Sequence, residues 1–460
     1  VGDNGVVSAD PLQQAIAIAR AVRERGGRAL IVGGFVRDRI LGRPSREVDV
    51  EVFGIPEGAL RTLLENIGRV EVVGQQFAVY KMGTVDVSLP RRESKSGRGH
   101  KGFLVTGDPH MSLADAARRR DFTMNAISWD PLNDEYIDPV GGRADLERRV
   151  LRAVDSQTFA DDSLRVLRAV QFAARFALTA EPATKALCRR IALDDLPAER
   201  IWGEIEKLLL QAERPSIGFE LARDIDVTTR LLPEMHALIG CPQEPEWHPE
   251  GDVWIHTLMV IDEARARNGD LPRAPLATIM LAAVCHDFGK PLTTAAIDGR
   301  IRSIGHEEAG VIPAEQLLDR LNVHALDGFD VRTQVLAITA NHLKPGAFYK
   351  VRHELTDGAF RRLALKVDMD LLARLAKADC CGRTGEFDCS AMDWFRERSL
   401  ALGVEHKPPT PILMGRHLLA LGVAPGPRMG EILKSVYELQ LDGEVNDLET
   451  AVARARSLLN

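Results

Sequence analysis

The sequence predicts an α/β head followed by a mostly α-helical remainder. Within the first 150 residues, short apolar runs rich in β-branched residues alternate with glycine turns and helical stretches, the pattern of an α/β unit. After about Leu151 the strand signals largely vanish, and helical patterns rich in Ala, Leu and Arg continue to the end. A chain of 460 residues exceeds what one core can serve, so about two to four domains are expected.

The elements follow in order. A strand over 28–32 runs into Gly33-Gly34 and a helix. Further strands are expected at 48–53, 77–80 and 85–89. Residues 90–110 are polar and glycine-rich and predict a mobile loop. Proline-rich breaks at 241–249 and 407–411 mark boundaries. The expected segments are a head at 1–150, a helical neck at 151–240, a second domain at 241–400 and a helical tail at 401–460. There is no repeat of fixed period.

Composition narrows the function classes. Hydrophobic content of 45% and charged content of 27% are ordinary for a soluble globular chain. No apolar run reaches the length of a transmembrane helix. Val1-Gly2-Asp3-Asn4 lacks the layout of a signal peptide, and without a starting Met the natural start is expected to be trimmed or replaced. Six scattered cysteines without a CxxC suit a reducing cytoplasm and not a disulfide framework. A net charge of −7 argues against binding nucleic acid through overall charge but leaves local binding open. The arginines of 143–207 are interleaved with acids and decide nothing by themselves.

Two constellations carry chemistry. In the first, the Gly33-Gly34 turn lets backbone approach a phosphate at a helix N-terminus, although many such turns are only packing devices. Asp49 and Glu51 stand at i and i+2 on a strand and share a face. Adjacent carboxylates repel unless a cation lies between them, and phosphoryl transfer uses such a pair to hold Mg²⁺. Alone, the pair would read as the solvent face of an edge strand; the upstream glycine turn favours the metal face. Asp86, in a neighbouring run, is a candidate third carboxylate.

These residues resemble a known family. Gly33-Gly34-x-Val36-Arg37-Asp38 with Asp49-x-Glu51 is similar to the first motif of class II tRNA nucleotidyltransferases and bacterial poly(A) polymerases. Arg119-Arg120-Asp121-Phe122-Thr123 with Asn125-Ala126-Ile127 resembles their second motif. The run from Asp138 through Gly141-Gly142 and Asp145 to Arg152 resembles the third, Asp161-Asp162-Ser163-Leu164-Arg165 the fourth, and Glu199-Arg200-Ile201 with Glu204 and Lys207 the fifth. Five motifs in order over 180 residues is a specific signal. The resemblance implies a polymerase-β-like nucleotidyltransferase head in which Asp49 and Glu51 carry the catalytic Mg²⁺ ions. Gly33, Gly34 and Arg37 would hold the triphosphate, while Arg119, Arg120 and Asp121 would sense ribose and position phosphate. Asp162 and Arg165 would hydrogen-bond the incoming base, with Arg168 in the same nucleotide-binding set. Positions i and i+3 share a helix face, so an ordinary intrahelical ion pair is the alternative for Asp162 and Arg165. Two positions depart from the pattern: Glu51 replaces the usual second Asp, and Asp161 the usual Glu.

The second constellation is His256, His286-Asp287 and Asp379 on separate helices, able to converge on one divalent metal. His306 and His342 could add a second metal or bind phosphate. With His286-Asp287-Phe288-Gly289-Lys290 as its most specific element, the layout resembles the HD phosphohydrolase superfamily. Trp247-His248-Pro249-Glu250-Gly251-Asp252 strengthens the link to bacterial tRNA nucleotidyltransferases with a C-terminal HD domain. That resemblance implies a transition metal such as Ni²⁺ or Mn²⁺ and activity on 2′,3′-cyclic phosphates, 2′-nucleotides and phosphatase substrates; a decayed scaffold is the alternative. The glycine-rich tail from Pro411 to Gly430 resembles the family's RNA-binding segment, or is a packing element.

The function implied is CCA addition to tRNA from CTP and ATP, in the cytoplasm and away from any membrane. An A-adding enzyme or poly(A) polymerase is the nearer alternative. Gln75 and Gln76 stand where the poly(A) polymerase pattern has basic residues, which favours tRNA. An HD hydrolase with an inactive head is the alternative from another class; intact Asp49, Glu51 and Arg119-Arg120-Asp121 argue against it.

Overall fold

The computed structural model describes residues 10–45, 47–73, 78–95 and 103–459. The Gln75 and Gln76 positions and the centre of the 90–110 segment lie outside the described residues. Contacts divide the chain into two compact units: one runs to Arg200 and includes Asp224–Val227, and the other holds Ile201–Arg223 and the chain from Thr228 on.

In the first unit the strands are β1 (Arg28–Val32), β2 (Val48–Phe53), β3 (Glu71–Val73), β4 (Val79–Met82), β5 (Val85–Ser88), β6 (Arg91–Lys95), β7 (Phe103–Gly107), β8 (Ser128–Asp130) and β9 (Glu135–Ile137). Seven of them form one sheet in the order β3-β4-β5-β2-β1-β8-β9. β2 lies antiparallel to β1 and parallel to β5. Alternation sets its two faces: Val48, Val50 and Val52 are buried, and Asp49 and Glu51 point the other way. Each buried valine contributes about 1.5–3 kcal/mol, which fixes the register. The helix Pro11–Glu24, N-capped by Asp10, adds Ala15, Ile18, Ala19 and Val22 to the core.

Several expectations need correction. The flanks of the 90–110 segment are not loop but pair as the antiparallel strands β6 and β7. The strands β3, β8 and β9 were not anticipated; three residues each are too few to show a period. The helical half contains a hairpin, Thr294–Ile297 with Arg300–Ser303. Its two-residue turn is Asp298-Gly299, both at positive φ, the signature of a tight hairpin. Cysteine usage predicted no disulfides, yet Cys380 and Cys389 are bonded, because the end of helix Met369–Cys381 is folded back beside the start of helix Ser390–Ala401.

The tail forms helices Gly415–Ala420, Pro427–Asp442 and Leu448–Ser457 around Leu418, Ile432, Val436, Ala451 and Ala455. Among the described residues no helix is long and apolar enough to cross a membrane.

The third motif acts as a brace for the second. Asp138 caps helix Gly142–Glu147 by accepting from the N–H groups of Gly142 and Arg143 at 2.8 and 2.9 Å. Asp145 accepts from Thr123 Oγ1 at 2.7 Å and from Arg152 Nε at 3.0 Å. A Cβ on Gly142 would come 2.1 Å from the carbonyl oxygen of Thr123. Gly142→Ala is therefore expected to cost about 1–3 kcal/mol by overpacking. A urea melt would read this; an unchanged midpoint would mean that this contact relaxes freely.

Candidate active sites

In the head, β1 ends at Gly33, whose φ of 70° turns the chain into helix Gly34–Ile40. The close approach is real: a Cβ on Gly33 would lie 3.3 Å from Asp49 Oδ2. Asp49 and Glu51 open onto a cavity of about 290 Å³ that is also lined by Asp86, Ser88, Arg91, Arg119 and Arg120. Asp86 sits in register with Asp49 on β5, so a third carboxylate shares the face. The cavity walls strip water from the Asp49 carboxyl and raise its pKa; Arg120 opposes this and Asp86 adds to it. Arg120 Nη2 stands 3.5 Å from Glu51, and Lys81 Nζ 2.9 Å from Asp86. Three carboxylates on one face offer the hard oxygen donors that suit Mg²⁺.

Other members of the nucleotide set are placed differently. Arg37 is only 5% exposed. Its guanidinium bonds Asp38 and Asn125, each at 2.8 Å, and packs over Phe176. It braces the glycine turn against the second motif. Asp121 is likewise buried, and its carboxylate takes Asn125 Nδ2 at 3.0 Å and Arg168 Nε at 2.7 Å. It therefore positions Arg168. Arg119 donates to the carbonyl of Arg91 at the cavity rim.

Asp162 and Arg165 do not form the intrahelical pair. Helix Leu164–Phe176 begins after Asp162, whose backbone is extended, so the two do not share a helix face as expected. Arg200, from the fifth motif, pairs with Asp162 at 3.1 Å. Arg165 donates to the carbonyls of Thr158 and Arg119, each at 2.8 Å. Carbonyl contacts leave the Arg165 charge unneutralised.

In the second unit the HD set converges. His256 lies on helix Val253–Arg267, His286 and Asp287 follow helix Arg273–Cys285, and Asp379 lies on helix Met369–Cys381. Close approaches make this possible. A Cβ on Gly382 would press within 2.7 Å of Val260, and one on Gly289 would reach 2.0 Å from the carbonyl oxygen of His306. All five side chains from His256 to His342 in this set, with Asp379, are buried. His256 Nε2 is 3.1 Å from Asp379 Oδ1 and 3.8 Å from Asp287 Oδ2. His286 Nε2 is 3.3 Å and His306 Nε2 3.5 Å from Asp287, and His306 meets His342 at 3.2 Å. Among the described residues, three overlapping groups have metal-ligand spacing: His248, Glu250 and His256; His256, His286 and Asp287; and Asp287, His306 and His342.

The donor chemistry fits divalent metal. His286 Nε2 is buried with no hydrogen bond among the described residues. Burial, with His286 and His306 beside it, pushes His342 down to about 3, so it stays neutral and able to ligate. Burial works to raise Asp379, but the bond and charge of His256 outweigh it and hold the carboxyl below its usual range. Lys290 Nζ lies 2.7 Å from Asp287 Oδ2, a role for this motif lysine that the sequence did not assign. A cavity of about 710 Å³, lined by Trp247, His306, His342, Asp379 and Arg383 among others, opens onto the cluster.

Comparison with known proteins fits both units. Residues 29–152 match the poly A polymerase head domain, and residues 178–239 match the probable RNA and SrmB-binding site of polymerase A. The chain is thus a nucleotidyltransferase of the polymerase A type. It is 36% identical over 448 residues to the multifunctional CCA protein of Xanthomonas campestris, covering 93% of this chain and 98% of that one. The corresponding protein of Stenotrophomonas maltophilia is 42% identical over 307 residues, 64% of this chain and 71% of its own. The chain belongs to the multifunctional CCA protein family. The fold is shared with a CCA-adding enzyme solved with CTP, at TM-score 0.62 and 19% identity over 99% and 96% of the two chains. It is shared also with the Thermotoga maritima CCA-adding enzyme complexed with tRNA, at TM-score 0.59 and 18% identity over 99% and 97%.

The Asp121–Arg168 pair makes a stability prediction. Burial works against the Asp121 charge, but Arg168 and Asn125 hold its pKa below the ordinary value. Its contribution is therefore complete above the unfolded carboxylate pKa of about 3.9 and is lost as pH falls through the folded value. Arg168→Ala strands the buried carboxylate and is expected to cost about 3 kcal/mol at neutral pH. The loss should shrink on acidification, as read by urea unfolding at pH 7 and pH 3.

Proposed function

We infer that this protein builds and repairs the CCA end of tRNA from CTP and ATP. The observation that carries this is the Asp49, Glu51 and Asp86 face beside the Gly33 turn, in a chain 36% identical to a multifunctional CCA protein over almost its whole length. Asp49 and Glu51 would hold Mg²⁺, which when bound offsets charge on the attacking and leaving oxygens. The tRNA 3′-hydroxyl attacks the α-phosphate in line; a P–O bond forms to tRNA as the bond to pyrophosphate breaks. Arg120, and Arg119 at the rim, face phosphate charge. Asp162 and Arg165 serve base selection: a carboxylate accepts an exocyclic amino group, and a guanidinium donates to ring nitrogen or carbonyl oxygen. Arg200 steers the first and two carbonyls steer the second. Contacts to the tRNA acceptor stem are mainly to backbone and shape, so binding weakens steeply with salt.

We further assign the His256, His286, Asp287 and Asp379 cluster as a phosphohydrolase centre for a transition metal such as Mn²⁺ or Ni²⁺, with His306 and His342 as a second metal or phosphate locus. The buried Nε2 atoms gathered around Asp287 at ligand spacing support this. In functional terms the chain is organised as a head at 1–150, a neck at 151–240, an HD domain at 241–400 and a tail at 401–460. Its tRNA substrates are met in the cytoplasm.

An extension assay tests the first reading, with tRNAs ending before CCA, after C and after CC, and CTP and ATP singly and together. Addition of C, C and A followed by arrest is expected. Addition of A alone to the CC end would make it an A-adding enzyme, and long A tails on generic RNA a poly(A) polymerase. Asp49→Ala is expected to lower addition by at least about a hundredfold, the scale of losing an essential electrostatic group. His286→Ala combined with Asp287→Ala should abolish release of phosphate from 2′,3′-cyclic nucleotides while sparing nucleotide addition; survival of the hydrolysis would sink the second assignment.

A further inference from the structure

The histidines His256, His286, His306 and His342 all turn Nε2 toward the cluster, and each needs an acceptor at Nδ1 to hold that orientation. His286 and His342 stand at helix C-termini, where the last carbonyls lack intrahelical partners. Their Nδ1 atoms dock on the carbonyls of Ala283 and Thr339 at 2.9 and 2.8 Å, and His306 uses the carbonyl of Ser303 at 2.7 Å. His256 has no such option. It lies in the first turn of helix Val253–Arg267, where carbonyls are committed to the helix ladder.

Its acceptor is a side chain from outside that helix. Glu250 Oε1 lies 2.8 Å from His256 Nδ1 and 2.9 Å from His248 Nδ1, and the carboxylate is 1% exposed. Its other oxygen receives the Thr384 N–H at 3.3 Å. Gly251, at φ 122°, turns the chain so that Glu250 faces back toward the helix that Asp252 caps. A buried carboxylate is retained only where its partners satisfy it, and here the partners are two imidazoles.

We propose that Glu250 is a positioning residue of the second centre, holding the His256 ring by Nδ1 so that Nε2 faces the Asp287 and Asp379 carboxylates where a metal would sit. This rests on the assignment of that cluster as a metal centre. A carboxylate in this place also makes the imidazole a stronger donor than a carbonyl partner would.

The test uses the full chain and Co²⁺ alone, read by affinity and by the visible absorption of the bound ion. Wild type should bind Co²⁺ at a site that His286→Ala removes. Glu250→Gln should weaken binding by about 10–100-fold and shift the absorption band, with nucleotide addition kept as evidence of folding. Wild-type affinity and spectrum in Glu250→Gln would overturn the role of Glu250 alone. No Co²⁺ site dependent on His286 in wild type would overturn the metal centre, and the proposal with it. A measurement without the variant guards against misfolding. In ¹⁵N-histidine-labelled wild type, the signal missing from His256→Gln should show a protonated, hydrogen-bonded Nδ1; an Nδ1 that carries no proton would overturn the proposal.

Discussion

Carboxylates crowded out of water require positive charge nearby, and both sites are arranged around that requirement. In the head, Asp49, Glu51 and Asp86 share one face, and Arg120 and Lys81 reach the ends of the group. In the second unit Asp287 sits among three histidines and Lys290. In both clusters the surrounding fold holds the acids together against their mutual repulsion.

Much of the supporting structure exists to keep those groups in place. The third motif touches the second through Gly142 and Asp145. The fifth reaches the fourth through Arg200 and Asp162. Arg37 and Asp121, both buried, tie the glycine turn and helix Leu164–Phe176 to the same asparagine, Asn125, and to Arg168. A motif residue can thus matter for activity without meeting a nucleotide, because its bonds set where its neighbours point.

The sequence was most legible where period and chemistry coincide. β1 was readable as a continuous apolar run and β2 by its alternation, and the Asp49–Glu51 spacing on β2 placed both acids on one face. The three-residue strands β3, β8 and β9 carry no period of their own and exist through pairing with neighbours. The Asp298-Gly299 hairpin had a turn signal that the surrounding helical pattern masked. The histidine and aspartate types of the second centre were legible from motif, whereas Lys290 against Asp287 and Glu250 against His256 depend on turns whose direction only coordinates give. For Arg37, Asp121 and Arg168, residue type suggested ligand contact. Arg37 and Asp121 are buried, and each is bonded to charged or polar neighbours whose approach only the fold supplies.

The two-residue alternation of β2 has a bearing on descent. One face of this strand is core and the other is chemistry, so slipping it by a single residue would exchange Val48, Val50 and Val52 with Asp49 and Glu51 at one stroke. An inherited insertion or deletion of one codon inside the strand would disturb the core face and the carboxylate face together. The segment before Val48 carries no such double duty, so length variation among descendants belongs there, while β2 itself can drift in residue type but not in length.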